Sequence, residues 1–339
     1  MEPSIYIPAY LEREYLRSHE GLTCAARELL HEEVLQDPAR YATTDHARAL
    51  ISYGRARERL LRELDRMEDL PDDEFDRKRE QLFAAARQEL HRIHRADPLC
   101  TDAELVDIML ADVPVDACLG DLMKLEERVR GRLGFLPGFD EDAPHFWADG
   151  GPQDDAERTR AEPELVAWLH TLEAISQLCL ASARYRAAAD YARRVMRAQG
   201  YPNLSAGTVL LALARLEDED GFFACAREGA ACGAGEDSPW FLLGRTILLY
   251  KLGRRKNARR ALRDFAARCD GGAFYLLNPT YLTPYLPVRP PVREACELAH
   301  QAVWEADGII VDTPDFTAWA ASVDGVEDAS EDFARRYGY

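Results

Sequence analysis

The sequence predicts an all-α protein built as a helical-repeat solenoid, with a proline-rich strap and capping helices towards the C-terminus. Strand signals are nearly absent, because the longest run of β-branched residues is Ile309–Val311, which is too short to found a sheet. Helical periodicity is widespread, and three alanine-centred segments recur at spacings of 36 and 34 residues. A regular spacing of this size indicates stacked helical units.

The composition along the chain predicts four regions. They are a degenerate helical-repeat region (1–135), an acidic Pro/Gly linker or loop (136–164), tetratricopeptide-like repeats (165–270), and the proline strap with C-terminal capping helices (271–339). The linker holds four prolines, Gly150-Gly151 and many acidic residues, and proline and glycine interrupt helices. We expect its acidic side chains to be solvated.

Weak copies of the repeat are predicted in residues 1–135. Ala26 precedes Pro38 by twelve residues and Ala86 precedes Pro98 by twelve, as in the alanine-to-proline ending of a tetratricopeptide repeat. Helical pairs are therefore expected from the N-terminus onwards.

The clearest repeats place Ala188, Ala224 and Ala258 in register, at spacings close to the tetratricopeptide period of about 34 residues. Two antiparallel helices pack closely only where one of them presents a small side chain, so we expect these alanines at helix–helix contacts. The alternative is an irregular helical bundle in which the matches arose by chance.

The third repeat carries the fullest pattern. Trp240, Leu243 and Gly244 fit the W-x-x-L-G opening of a tetratricopeptide repeat, and Tyr250 and Gly253 fit the end of its first helix and the turn. The interval from Gly244 to Gly253 exceeds the consensus by about two residues. We therefore expect a first helix that is longer than usual or bulged.

The segment 274–294 interrupts the helices with five prolines, which are Pro279, Pro284, Pro287, Pro290 and Pro291. We expect an extended strap that crosses to a final helix pair at low entropic cost. The tyrosines expected to pin it are Tyr275, Tyr281 and Tyr285, and Trp304 and Trp319 should anchor the capping helices. The alternative is that the strap lines or occupies a concave groove, as a peptide ligand would.

Several motifs between Trp168 and Trp319 occur in the same order as in a known family. They are the stretch from Tyr191 to Pro202, "LLNPTYLTPYLP", "REACELAHQAVWEADG" and the ending "TPDFTAW". This part of the chain resembles bacterial tetratricopeptide proteins related to the suppressor-of-tumorigenicity family. The family's "NPNDNQG" turn is replaced here by residues 199–203. The resemblance implies a helical-repeat fold and no defined activity.

The chain has 339 residues and a formal net charge of −18, which argues against electrostatic capture of nucleic acid or of an anionic membrane. No apolar run approaches the 18 or so residues of a membrane span, and the N-terminus shows no secretory signal. Eight cysteines occur singly, without a C-x-x-C pair. We therefore expect a cytoplasmic protein with neither nucleic-acid nor membrane partners.

Catalytic, cofactor-binding and metal-binding residues are not predicted, since no phosphate-binding loop, dinucleotide-binding, hydrolase or zinc-protease motif occurs. Two Glu-x-x-His pairs, Glu28/His31 and Glu297/His300, do place possible ligands on one helix face, as in di-iron bundles. A metal-dependent enzyme that uses these pairs is one alternative function. A regulator that binds a peptide or small ligand is another.

The function predicted first is a non-enzymatic scaffold that binds an unidentified protein or peptide on the concave surface of a helical array, without a cofactor. In "GRRKNARRALR", Arg255, Arg259 and Arg263 are four residues apart and form one basic stripe. The stripe can receive an acidic peptide, or it is a solvated outer face or pairs with acids of a neighbouring repeat. The candidate partner-binding residues are Arg245, Tyr250, Arg255, Arg259, Arg263, Tyr281 and Tyr285.

Overall fold

The structure is a computed structural model that describes residues 1–19, 21–67, 70–136, 139–142, 162–199, 204–231, 237–280, 282 and 284–339. These residues form sixteen α-helices and one 3-10 helix, and none of them forms a strand. The all-α prediction is therefore confirmed. The predicted linker lies mostly outside the described residues, as does Tyr281.

The chain divides into two compact units. Unit 1 comprises Met1–Ala174 and Thr283–Arg289, and unit 2 comprises Ile175–Leu282 and Pro290–Tyr339. Within the described ranges, every helix falls short of the length and apolar character needed to cross a membrane.

The helices of unit 1 begin and end at residues that favour helix ends. They are α1 (Pro3–Ser18), α2 (Cys24–Gln36), the 3-10 helix (Pro38–Tyr41), α3 (Asp45–Asp65), α4 (Asp72–Ala96), α5 (Thr101–Met109), α6 (Val115–Leu133) and the first part of α7 (Pro163–Ala181). Helices α2 and α4 each end immediately before an Asp-Pro pair, because proline and the residue before it disfavour helical dihedral angles. The Thr44 hydroxyl accepts a hydrogen bond from the Ala47 N–H at 3.1 Å and so caps α3.

Unit 2 contains the rest of α7 and all later helices. These are α8 (Tyr185–Gln199), α9 (Ser205–Arg215), α10 (Glu219–Ala231), α11 (Pro239–Lys251), α12 (Arg255–Arg268), α13 (Gly272–Leu277), α14 (Ala295–Val311), α15 (Phe316–Ala321) and α16 (Val326–Tyr337). Helix α11 ends at Lys251, the chain turns at Gly253, and α12 begins at Arg255, which agrees with the pattern of the third repeat.

One turn geometry occurs three times in unit 2. Ala183, Glu217 and Gly253 have left-handed φ values of 61°, 60° and 71°, and they lie 34 and 36 residues apart. The next residue in each turn donates its backbone N–H to the carbonyl five residues earlier, which closes the preceding helix in the same way each time. The three helical pairs α7–α8, α9–α10 and α11–α12 therefore share one connection.

This geometry corrects the sequence register of the second pair. Five residues after each left-handed residue come Ala188, Phe222 and Ala258, all of which have 0% exposure. Ala224, which was predicted to share this position, is exposed, so the alignment was wrong by two residues there. Phenylalanine fits because a Cβ at Gly244 would lie only 3.0 Å from Cε2 of Phe222, and glycine leaves that space open.

Helices α9 and α11 are buried on nearly all sides, which is typical of helices at the centre of a bundle. They pack so closely that a Cβ at Gly207 would lie 2.4 Å from Cγ of Trp240. Helix α14 covers both, and the Trp240 indole N–H donates to Glu305 Oε2 at 2.9 Å. This face of α9 and α11 is thus covered by the chain itself.

The strap and the two tryptophans expected to anchor the capping helices make different contacts. In unit 1, Arg57 Nε donates a hydrogen bond to the carbonyl of Leu286, and Tyr285 is buried. In unit 2, Trp319 packs on Tyr250 with ring centroids 4.6 Å apart. Trp304, the other expected anchor, has 37% exposure.

Candidate partner-binding site

The strongest local concentration of positive charge that we find in the structure lies on α12. Among its 14 residues it carries one acidic side chain, Asp264, and six basic ones, which are Arg255, Lys256, Arg259, Arg260, Arg263 and Arg268. All six of these basic residues are exposed, whereas Ala258, Ala261, Leu262 and Phe265 are buried. The apolar positions at helical spacing thus fix which face of α12 points into unit 2 and leave the basic residues on the other.

The ion pairs at this helix involve its ends and not its centre. Arg254, just before α12, pairs with Glu219, and Arg268 pairs with Asp237. Among the described residues, five basic side chains of α12 form no ion pair. The Arg255 guanidinium lies over the Tyr250 ring instead, and the other four are Lys256, Arg259, Arg260 and Arg263. The predicted pairing with acids of a neighbouring repeat is therefore not seen for Arg259 and Arg263.

The candidate residues named from the sequence fall into separate places. Arg245 forms an ion pair with Asp264 at 2.6 Å, which joins α11 to α12. Tyr250 has 5% exposure and donates its hydroxyl to the Pro314 carbonyl at 3.0 Å, while the Arg255 guanidinium lies 3.4 Å from its ring centroid. Tyr285 belongs to unit 1. Arg255, Arg259 and Arg263 are thus the three that share one exposed face.

A cleft of about 600 Å³ opens at the C-terminal end of α12, where α16 packs against it. Its small side chains are Ala266, Ala267, Gly271, Ala273 and Ala329, and its charged ones are Arg268, Asp270, Asp332, Arg335 and Arg336. Arg336 pairs with Asp270 at 2.5 Å and Arg335 with Asp332 at 2.5 Å. The cleft therefore has an alanine and glycine lining with guanidinium groups around it.

Gly271 shapes one wall of this cleft. Its φ of +71° is left-handed, and a Cβ there would lie 2.8 Å from Cε2 of Tyr275 and 2.9 Å from the ring of Phe333. Glycine is the residue that tolerates both the dihedral angle and the close approach. The turn at Gly271 thus brings α16 against α13 and closes the end of the cleft.

The stripe and the cleft are continuous along α12. Arg255, Arg259, Arg263 and Ala267 lie four residues apart, and helical positions with this spacing share a face. At 1.5 Å per residue, the distance along the helix from Arg255 to Ala267 is about 18 Å. Ala267 is exposed and lines the cleft. The basic stripe therefore leads directly into the small-residue lining.

The two Glu-x-x-His pairs are engaged separately, each in its own unit. In unit 1, His31 Nδ1 lies 3.0 Å from Glu12 Oε2. In unit 2, Glu297 accepts the Arg293 backbone N–H at 2.7 Å, and His300 stacks on Tyr275 at 4.1 Å. Burial lowers the pKa of His300. Across the residues that the structure describes, no group of three or more potential ligands is placed to hold a metal ion.

A buried polar network that was not predicted from the sequence lies in unit 1. Asp102 accepts a hydrogen bond from the Tyr6 hydroxyl at 2.7 Å and lies 3.0 Å from His170 Nδ1, and the three residues have at most 2% exposure. Burial strongly raises the pKa of the neighbouring Cys100 thiol, so it is not a thiolate. Such enclosure suits a structural network rather than a site that admits a substrate.

No family model matches the chain, and comparisons with curated proteins and with solved structures give no match either. The resemblance to tetratricopeptide proteins therefore stays a prediction.

Sequence reasoning found the stripe but missed the cleft. The stripe is visible because four-residue spacing is a local property of one helix. The cleft joins Arg268 and Asp270 to Arg335 and Arg336, which lie more than 60 residues away in the chain. The one available signal was the pair of arginines at the end of α16, where basic residues also suit the helix dipole.

Proposed function

We propose that this chain is a cytoplasmic, non-enzymatic helical-repeat protein of tetratricopeptide-like architecture that binds an acidic segment of a partner protein. The binding surface is the exposed face of α12 with Lys256, Arg259, Arg260 and Arg263, and not the face of α9 and α11 that α14 covers. The repeated turn at Ala183, Glu217 and Gly253 supports the repeat architecture.

The observation that carries this proposal is the set of four basic side chains on α12 that have neither an ion pair nor a ring contact among the described residues, in a chain of net charge −18. A long polyanion such as nucleic acid would meet this acidic background along its length and be repelled. A short acidic segment needs to contact only the stripe. Charge complementarity of this kind raises association rates and fixes orientation.

The proposal can be tested with fluorescein-labelled acidic peptides of 14 residues, the length of α12, by fluorescence anisotropy. We expect the wild-type chain to bind them and the double variant Arg259→Glu/Arg263→Glu to bind at least about tenfold more weakly. Binding should weaken as salt is raised, since exposed charges are screened within about 10 Å at 0.1 M.

The matched control is Arg55→Glu/Arg77→Glu in unit 1, which changes the charge equally at two exposed arginines without an ion-pair partner among the described residues. We expect this control to bind the peptides as the wild type does, apart from the small effect of net charge. Equal losses in both double variants would sink the proposal. Tighter binding of a labelled oligonucleotide through the stripe would also contradict it, because the partner would then be nucleic acid. A concentration-dependent dimer that is lost in Arg259→Glu/Arg263→Glu would contradict it too, because the stripe would then bind a second copy of the chain.

A further inference from the structure

We infer that the cleft between α12 and α16 is an anchor pocket for an aromatic side chain, so that the partner segment carries an aromatic residue next to its acidic ones. This rests on the proposed function and specifies the class of sequence that the stripe recognises.

The lining of the cleft is half charged and half small and apolar, which leaves room for a large, flat group that is apolar on its faces. Ala266, Ala267, Ala273 and Ala329 contribute methyl groups and Gly271 contributes backbone, so the volume of about 600 Å³ is open because large side chains are missing. A buried aromatic side chain removes about 150–250 Å² of its surface from water, which makes aromatic residues effective anchors in such pockets.

The rim of the cleft favours an aromatic group over an aliphatic one. Arg268, Arg335 and Arg336 are all exposed, and a planar guanidinium stacks on the face of an aromatic ring. The same region already shows this preference, since the Arg336 guanidinium lies 5.5 Å from the Phe333 ring centroid. Asp270 and Asp332 are engaged by Arg336 and Arg335, which limits repulsion of the acidic segment.

The position of the cleft sets the spacing. Ala267 lies four residues beyond Arg263 and eight beyond Arg259 on the same face, which is about 6 and 12 Å along the axis. If two acidic residues of the partner contact Arg259 and Arg263, the residue that reaches the cleft therefore lies to one side of those two acidic residues in the partner's sequence. The stripe supplies long-range attraction, and the pocket supplies sequence preference.

The test compares two labelled 14-residue acidic peptides that differ only in one residue, tryptophan or serine. We expect the wild-type chain to bind the tryptophan peptide about tenfold more tightly than the serine peptide. The variant Ala267→Phe, which fills the cleft from an exposed position, should lose this difference while it still binds the serine peptide. The matched control Ala224→Phe places the same side chain at an exposed position of α10 and should keep the full preference.

The outcomes separate the two proposals. If neither peptide binds, or if Arg259→Glu/Arg263→Glu binds both normally, the proposed function itself fails. If both peptides bind through the stripe with equal affinity, or if Ala267→Phe retains the tryptophan preference, the anchor pocket fails and the proposed function stands. Circular dichroism and melting curves of the variants confirm that each is folded before affinities are compared.

Discussion

Helix α4 in unit 1 and helix α12 in unit 2 each carry six basic side chains, but α4 also carries six acidic ones whereas α12 carries one. In α4, Lys78 pairs with Glu74 at 2.9 Å and Arg79 with Asp76 at 2.9 Å. In α12, the central basic residues have no such partner among the described residues. Helix α4 balances its charge locally, while α12 presents it to solvent and to any binding partner.

The difference extends to the interiors of the two units. Unit 1 buries a polar network around Asp102 and His170, and Arg57, which has little exposure, forms an ion pair with Glu2 at 2.6 Å. The inner helices α9 and α11 of unit 2 are instead mainly apolar. Charged side chains therefore take part in the buried interior of unit 1. In unit 2, the unpaired positive charge of α12 lies on the surface. Three substitutions test this contrast, from the largest expected effect to the smallest.

Asp102→Asn should lower the free energy of unfolding by about 3–5 kcal/mol, because it removes a buried carboxylate that takes part in two hydrogen bonds, each worth about 1.5–3 kcal/mol. Chemical denaturation at neutral pH measures this. The exposed Asp45→Asn should change stability by at most about 0.5 kcal/mol. Equal effects of the two substitutions would break the view that unit 1 depends on its buried charges.

The same carboxylate predicts a pH dependence. Burial alone would raise the pKa of Asp102, but His170 and the Tyr6 hydroxyl lower it overall. A folded-state pKa below the unfolded value of about 3.9 contributes stability that is present above that pH and is lost as pH falls through the folded-state pKa. The melting temperature should thus fall less steeply in Asp102→Asn than in the wild type below about pH 4.

Ala258→Phe should cost about 1–3 kcal/mol, because it overpacks a position with no exposure at a close helix contact. Ala224→Phe should change stability by no more than about 0.5 kcal/mol, because the side chain points to solvent. Urea denaturation of the two variants compares them directly. Equal costs would show that Ala224 shares the register of Ala258 after all.

Lys256→Glu should stabilise the protein slightly, by about 0.3–1 kcal/mol, because α12 has no acidic residue in its first turn and an acidic side chain suits the positive end of a helix. The same change in α4, Lys78→Glu, should destabilise slightly, since Lys78 hydrogen-bonds to Glu74 and lowers its pKa. Melting temperatures at low salt measure both. If both variants shifted the melting temperature in the same direction, the proposed difference in charge balance between α4 and α12 would be wrong.

The sequence by itself determined the features that depend on local spacing. It predicted an all-α chain, the turn at Gly253, and the basic stripe on α12. These follow from dihedral limits and from the 3.6-residue period, which act between residues close together in the chain.

Tertiary structure decided the rest. It put Phe222 where an alanine was expected, because Gly244 of another helix leaves the space, and it placed α14 over the inner helices. It also brought Asp102 to His170 and Arg268 to Arg336, pairs that lie far apart in the chain. Helical periodicity specifies which face of a helix is buried but not which helix covers it, since that depends on how side chains of distant segments fit together.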